Sequence, residues 1–482
     1  LKLLLLHNYP LPTAVLIRQP ADAGLVLLLR RSPKLLTADC INADCRLKTA
    51  DFSHLFHNSI IFTFILTISE PPNMPPSKKR PAFRIGPGAL VTAAFIGPGT
   101  ITTCTLAGAK FGYALLWGMV FSIAATIILQ EMAARLGIIS RNGLGEALRA
   151  HFSKPAARLI TAILVISAIT LGNAAFQTGN LLGASMGLET LFTSKTLTIR
   201  FLVAVNAAIA FILLFVGSYK LIERVLIALV ILMSLTFLTT AIIVSPELPS
   251  LLRGMFVPTI PAGAVLTLVG LIGTTVVPYN LFLHASAVQE RWHSPSDLPA
   301  ARWDISVSMI LGGVISMAVI VTASAAFAGT GTDITSGTDM ARQLEPLAGR
   351  WAKYIISIGL FAAGISSAIT APMAAAYATA GIMGWKRDLR SARFRMIWMF
   401  ILLAGVLFGM LGFKPVEAIL FAQVANGILL PVIAVYLLVV MNSRRIMGDN
   451  VNGLLPNILG AIVVLIATGL GIRSILHVIG II

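Results

Sequence analysis

The sequence predicts an all-α integral membrane protein of about eleven transmembrane helices, and three observations carry that expectation. The 482 residues are 57% hydrophobic and only 11% charged, with a mean hydropathy of +0.89, well above the apolar share of a soluble domain. Apolar runs of membrane length recur from about residue 88 to the end, separated by short polar stretches. Two of those runs, the first and the sixth, are interrupted by proline at corresponding places.

The first five spans fall near residues 88–109, 114–137, 157–181, 201–217 and 221–245. The next six fall near 263–287, 304–328, 352–383, 396–412, 416–441 and 455–480. Residues 87–482 then form a single membrane domain, with no second soluble unit to place.

Lys and Arg number 36 against 19 acids, a net charge of +17. A basic balance of this size raises the question of nucleic acid, and the distribution answers it. The basic residues gather in alternate short loops, with Arg135, Arg141, Arg149, Lys154 and Arg158 in one and Lys386, Arg387, Arg390, Arg393 and Arg395 in another. That is the positive-inside pattern of a multi-pass protein of the cell membrane with a cytoplasmic N-terminus. Partners are therefore expected to be a lipid bilayer and a small substrate rather than nucleic acid, with the chain acting as a monomer.

Cysteines are Cys40, Cys45 and Cys104, too few and too scattered for a disulfide framework or a zinc cluster. Residues 1–73 contain no Met, whereas Met74 opens the basic segment Pro75-Pro76-Ser77-Lys78-Lys79-Arg80. Residues 1–73 are read as a non-native or disordered leader and 74–86 as a basic cytoplasmic segment. The apolar patch from Ile60 to Ile68 is too short to cross a bilayer.

Gly97-Pro98-Gly99-Thr100 interrupts the first span and Val277-Pro278-Tyr279-Asn280 the sixth. Each opens a set of five spans. Because five is odd, the second set enters the membrane inverted, which makes residues 88–245 one repeat and 263–441 the other, with 455–480 as an added helix. Paired broken helices in an inverted repeat point to a central substrate site. Proline removes a donor and glycine permits non-helical backbone, so carbonyls near residues 95–98 are expected to lose their partners and become cation ligands. A packing kink is the alternative reading of either break taken alone.

The polar side chains at this depth are Thr100 and Thr103 on the first span, Thr274, Thr275, Tyr279 and Asn280 on the sixth, and Gln423 and Asn426 on the tenth. All are neutral oxygen or amide groups, hard donors suited to magnesium, manganese or calcium. For each of them an interhelical hydrogen bond is the competing role. Ionisable groups inside the spans are few, and those singled out are Glu131, His284, Glu417 and Arg473. Glu131 lies four residues before Arg135, so a structural ion pair competes with a place in the ion path. His284 could titrate near neutral pH or simply hydrogen-bond within the bundle.

At these residues the chain resembles the natural resistance-associated macrophage protein (NRAMP) family of metal transporters, from about residue 87 to the C-terminus. The resemblance rests on Gly112-Tyr113 with Leu116-Trp117, Leu129-Gln130 with Ala133-Ala134-Arg135-Leu136-Gly137, the run from Gly270 to Asn280 followed by Leu281, Leu283 and His284, Ala363-Gly364-Ile365-Ser366-Ser367 with Thr370, and Gln423-Val424. It implies the LeuT-type 5+5 inverted-repeat fold and metal transport by alternating access, with the divalent ion as substrate and no cofactor or enzymatic chemistry. By that resemblance the metal ligands fall at Gly97, Thr100, Thr274, Val277, Tyr279 and Gln423 and a proton position at Asn173, while the residues themselves place the helix breaks at Pro98, Gly99, Pro278 and Asn280 and candidate ion-path or proton groups at Glu131 and His284.

The departures from the family pattern matter more. Its Asp-Pro-Gly-Asn is here Gly97-Pro98-Gly99-Thr100, and its Ala-Thr-Val-Met-Pro-His is here Thr274-Thr275-Val276-Val277-Pro278-Tyr279. A carboxylate, a thioether and a histidine are gone. Positions the family associates with proton coupling match Gly97, Tyr279, Asn173 and Phe176, none of which titrates near neutral pH. The chain therefore looks like the divergent NRAMP-related magnesium transporters, moving Mg2+ and also Mn2+ without protons. A proton-coupled Mn2+/Fe2+ importer and, more distantly, an amino-acid carrier of the same fold are the rival readings. A membrane enzyme would need a Ser/His/Asp set, HExxH or a Walker loop, and the sequence offers none.

Overall fold

The computed structural model describes residues 14–17, 26–31, 34–41 and 44–50, and residues 86–481 apart from 89–90, 93–95, 193–197, 217–219, 328, 386–387 and 389. Two compact units emerge, Leu1–Arg80 and Pro81–Ile482. The first, which includes the segment read as a non-native or disordered leader, carries the strands β1 (Ala14–Ile17), β2 (Val26–Arg31), β3 (Lys34–Ile41) and β4 (Asp44–Ala50), joined in sequence order as an antiparallel sheet. The apolar patch at 60–68 and the basic segment at 74–80 lie outside the described residues.

The second unit is helical throughout its described residues. Its helices are α1 (Pro98–Phe111), α2 (Leu116–Ser140), α3 (Leu144–His151), α4 (Pro155–Leu191), α5 (Ile199–Val216), α6 (Lys220–Val244), α7 (Leu248–Phe256), α8 (Val265–Thr275) and α9 (Pro278–Arg291). There follow α10 (Leu298–Phe327), the short α11 (Gly337–Ala341) and α12 (Glu345–Ala348), α13 (Ala352–Met383), α14 (Ala392–Met410), α15 (Pro415–Met441), the short α16 (Arg444–Met447) and α17 (Leu454–Val478). Among the described residues nine helices are long and apolar enough to cross a bilayer, the α8–α9 pair counting as one. The first span (α1 with the turn before it) and α6 complete the expected eleven.

Large apolar side chains point outward on several helices, among them Phe211 on α5, Leu407 on α14, Phe421 on α15 and Leu465 on α17. A soluble protein avoids such a continuous apolar exterior, whereas lipid requires it. The third span runs ten residues beyond its expected end. Asn173, Gln177, Asn180, Ser185 and Thr190 lower the local hydropathy, yet all five are buried against neighbouring helices. Serine and threonine there donate back to their own helix, as Ser185 Oγ does to Leu181 O at 2.7 Å. The short helices α3 and α7 were not foreseen.

The two breaks have the same construction. Gly97 is extended (φ −111°, ψ −177°) with Pro98 opening α1, and Val277 is extended (φ −76°, ψ 122°) with Pro278 opening α9. Proline tolerates that first helical position because its absent N–H would have had no intrahelical acceptor. Pro372 and Pro431, in contrast, sit inside the continuous helices α13 and α15. Proline alone therefore does not open a span here; an extended residue directly before it does.

Packing around the sixth span is close enough to need glycine. A Cβ on Gly273 would collide with the Gln423 carbonyl, and one on Gly427 would press on the Val269 carbonyl, so α8 and α15 meet backbone to backbone. Substituting Gly273→Ala is expected to lower stability by about 1–3 kcal/mol, the usual cost of overpacking. Gly469→Ala, whose Cβ meets nothing within 4 Å, should be neutral or slightly stabilising because alanine favours helix. Thermal unfolding of the two variants in the same detergent measures the contrast.

Candidate functional site at the paired helix breaks

The last turn of any helix leaves carbonyls without intrahelical donors and carries the negative end of the helix dipole. At the second break the end of α8 comes directly before the beginning of α9, and a cation is the natural partner of such an end. The backbone at the first break is less open than expected, because Gly97 O accepts from Ile101 N–H at 3.2 Å. At the second, Val276 N–H returns to Ile272 O at 2.8 Å and Asn280 N–H to Val277 O at 3.1 Å.

Side chains complete the centre. Thr100 on α1 and Thr274 on α8 share a hydrogen bond, Oγ1 to Oγ1, at 2.8 Å across 174 residues of sequence. Gly99 stands so close to the Gln423 amide that a Cβ there would collide with it, which brings α15 to the same point. Pro98 packs against Gly183 of α4, where any side chain would clash with the proline ring. Thr100, Thr274 and Gln423 are thus brought together at the first break, each buried to 2% exposure or less.

Tyr279, the second residue of α9, sets its ring edge-on to Phe176 of α4, centroids 5.5 Å apart. Asn173 lies one turn away on the same helix, its Nδ2 donating to Ile169 O at 2.8 Å. Val277 is buried in the surrounding apolar core. Among the described residues several buried polar atoms have no hydrogen-bond partner: the Tyr279 hydroxyl, Gln423 Oε1, Asn173 Oδ1, Asn426 Nδ2 and both amide atoms of Asn280. Orphaned buried polar atoms are rare and cost about 1–3 kcal/mol each, and of these the Tyr279 hydroxyl, Gln423 Oε1 and the Asn280 amide belong to residues at or packed against the two breaks. None is charged, and no group of three or more His, Cys, Asp or Glu that could hold a metal occurs among the described residues.

Two candidate ion-path residues are placed elsewhere. His284 is fully buried on α9 with Nδ1 2.9 Å from Gln130 Oε1 of α2. Glu131 pairs with Arg135 (3.2 Å) and with Arg302 of α10 (2.9 Å), and Arg135 continues to Asn452 Oδ1 at 2.6 Å and Asn450 O at 2.9 Å. Glu131 therefore ties α2, α10 and the turn before α17 together at the basic side, the structural alternative of the two read from its spacing. Gln177, whose Nε2 donates to Ala368 O at 3.1 Å, and Asp304 were not singled out in the sequence. Asp304 stands at the first residue of the expected seventh span, where a charge reads as an edge.

The family model described as natural resistance-associated macrophage protein-like matches residues 88–477. The chain belongs to this family. Curated NRAMP relatives include the divalent metal cation transporter MntH of Klebsiella pneumoniae (strain 342), 29% identical over 397 residues, covering 80% of this chain and 92% of that protein. The MntH of Yersinia pestis (strain Pestoides F) is 28% identical over 402 residues, covering 82% and 95%. A crystal structure of the Eremococcus coleocola manganese transporter in complex with an aromatic bis-isothiourea substituted compound matches with a TM-score of 0.65 at 25% identity, covering 81% of this chain and 85% of that one. MhsT in complex with L-phenylalanine matches at 0.50 and 16% identity, covering 83% and 99%, and shows the wider 5+5 fold alone.

For this NRAMP member, the Glu131 network generates a contrast of magnitudes. Arg135 is nearly buried (side chain 7% exposed), whereas Arg302 is 54% exposed. Glu131→Gln should destabilise by about 2 kcal/mol or more because it strips charge from a buried partner. Arg302→Gln should cost less than about 1 kcal/mol, as exposed pairs do. Denaturation midpoints of the two variants in one detergent decide this; equal losses would refute the structural role assigned to Glu131.

Proposed function

We propose that this chain is a secondary transporter of divalent metal ions, carrying Mg2+ and also Mn2+ by alternating access without proton coupling. The observation that carries the reading is the donor set at the paired breaks, which consists of hydroxyls, amides and carbonyls with no carboxylate, thioether or imidazole. Magnesium surrenders its waters reluctantly, and outer-shell hydrogen bonds from water to neutral oxygens satisfy it. Thr100, Thr274, Tyr279 and Gln423 supply such oxygens. Without a thioether or imidazole nothing selects for softer transition metals. Among the described residues the site at Gly97 has no side-chain charge that would help dehydrate an ion and no carboxylate or imidazole assigned to carry a proton.

In this reading the chain is a monomer in the cell membrane with its N-terminus and basic loops in the cytoplasm. The driving force is the metal gradient and the membrane potential, which for a divalent cation supplies roughly 4.6 kcal/mol per 100 mV. A second reading, a proton-coupled manganese importer, is favoured by the names of the relatives, MntH and a manganese transporter. His284, which is buried beside Gln130, is the titratable group that reading would have to use.

Flux in proteoliposomes separates the two. Mg2+ uptake should follow an imposed potential, be indifferent to a pH gradient, and fall about tenfold in Thr274→Val, the equivalent of about one lost hydrogen bond. Mn2+ uptake with co-moving protons, abolished by His284→Gln and unaffected by excess Mg2+, would instead establish the manganese importer.

A further inference from the structure

Both halves of the first span are held against α10, by different chemistry. The outer half, α1, is held by backbone packing and by a buried amide. A Cβ on Gly108 would collide with Ile320 O and crowd Ser324 N, and Gln343, which follows α11, donates through Nε2 to Thr105 Oγ1 at 2.9 Å. The inner half begins at Gly86 and is helical at 87–88 and 91–92. Here Asp304 Oδ1 accepts from Gly86 N–H at 2.9 Å and Asp304 Oδ2 from Gly88 N–H at 2.7 Å, across more than 200 residues of sequence.

Those two donors belong to the first turn of a helix, whose N–H groups have no acceptor within the helix. The carboxylate supplies it from another span, as an N-cap would from within the chain, and its charge suits the positive end of the helix dipole. The approach is so close that a Cβ at either glycine would press on the Asp304 carboxylate, and one at Gly88 would also meet Ile305 Cα at 3.0 Å. The carboxylate is presented from α10, whose Arg302 two residues earlier also reaches Glu131 of α2.

Between the two halves lies the break at Gly97-Pro98-Gly99, where proline has no N–H to give and glycine leaves the backbone free to turn. The outer half is locked by packing that must be dismantled to move. The inner half is held by two charge-assisted hydrogen bonds that water can replace when the half swings away. We propose that Asp304 is a latch: it holds the inner half of the first span against α10 in the closed state, and its release lets that half pivot at the break and open the site toward the basic side. This goes beyond the choice of metal, and its test uses no metal.

Hydrogen–deuterium exchange on the full chain in nanodiscs reads the latch directly. In Asp304→Ala the amides of residues 86–96 should exchange at least about tenfold faster, with those of 98–111 unchanged, and Asp304→Asn, which keeps one acceptor oxygen, should fall between. A second readout introduces Val91→Cys, a buried position of the inner half, in a background where Cys40, Cys45 and Cys104 are all changed to Ser. An impermeant maleimide applied from the basic side should label it about tenfold faster when Asp304 is alanine. Asp339→Ala, which removes the capping box with Ser336 ahead of α11, controls for general loosening and should leave both readouts unchanged. Unaltered exchange and labelling in Asp304→Ala, or equal acceleration of 86–96 and 98–111, would overturn the proposal.

Discussion

Hydrocarbon offers no hydrogen bonds, so every backbone N–H and C=O inside a membrane must find its partner within the protein, and each failure costs several kcal/mol. Two interrupted spans in one domain are tolerable only if other helices enclose them. The rest of the domain is arranged to do so. Helix α4, the longest at 37 residues, lays Gly183 against Pro98 and Phe176 against Tyr279. Helix α15 brings Gln423 to Gly99 and presses its backbone onto α8 through Gly427 and Gly273. The glycines at these contacts follow from the breaks, since enclosure at such short range leaves no room for Cβ atoms.

Charge is distributed by the same constraint. The centre holds hydroxyls and amides, and the ionised groups that bind helix to helix stand toward the basic side, where Glu131 joins Arg135 and Arg302, and Asp304 caps the first span. A neutral centre avoids the desolvation that a buried carboxylate would suffer without its ion. In the proposed reading the cost falls on the ion, which is held by dipoles alone and keeps its water more readily. Ion selectivity and transport without protons would then be two consequences of one change in composition.

Much of this was legible in the sequence because it is written locally. The span boundaries follow from hydropathy, and α13, expected over 352–383, occupies those residues. The breaks follow from Gly97-Pro98-Gly99 and Val277-Pro278, and Thr100, Thr274 and Gln423 follow from asking which polar residues stand at that depth. What was illegible depends on contacts between distant segments. Nothing in the spacing of Gly86, Gly88 and Asp304 announces that they meet. The polar face of α4 shortened its apparent span because hydropathy cannot tell a side chain buried against helices from one in water. Glu131 carried two readings until Arg302 was seen beside it, and Pro372 and Pro431 show that proline without an extended residue before it would have been a false signal.

In the proposed reading the ion is held at the paired breaks through its water shell by neutral oxygens. Pulsed electron–nuclear double resonance of Mn2+ bound to the purified chain counts exchangeable water protons on the metal and tests this most directly. Several coordinated waters, displacement by excess Mg2+ and loss of the bound signal in Thr274→Val are expected. A bound Mn2+ stripped of most of its water, or a nitrogen coupling from His284, would contradict it.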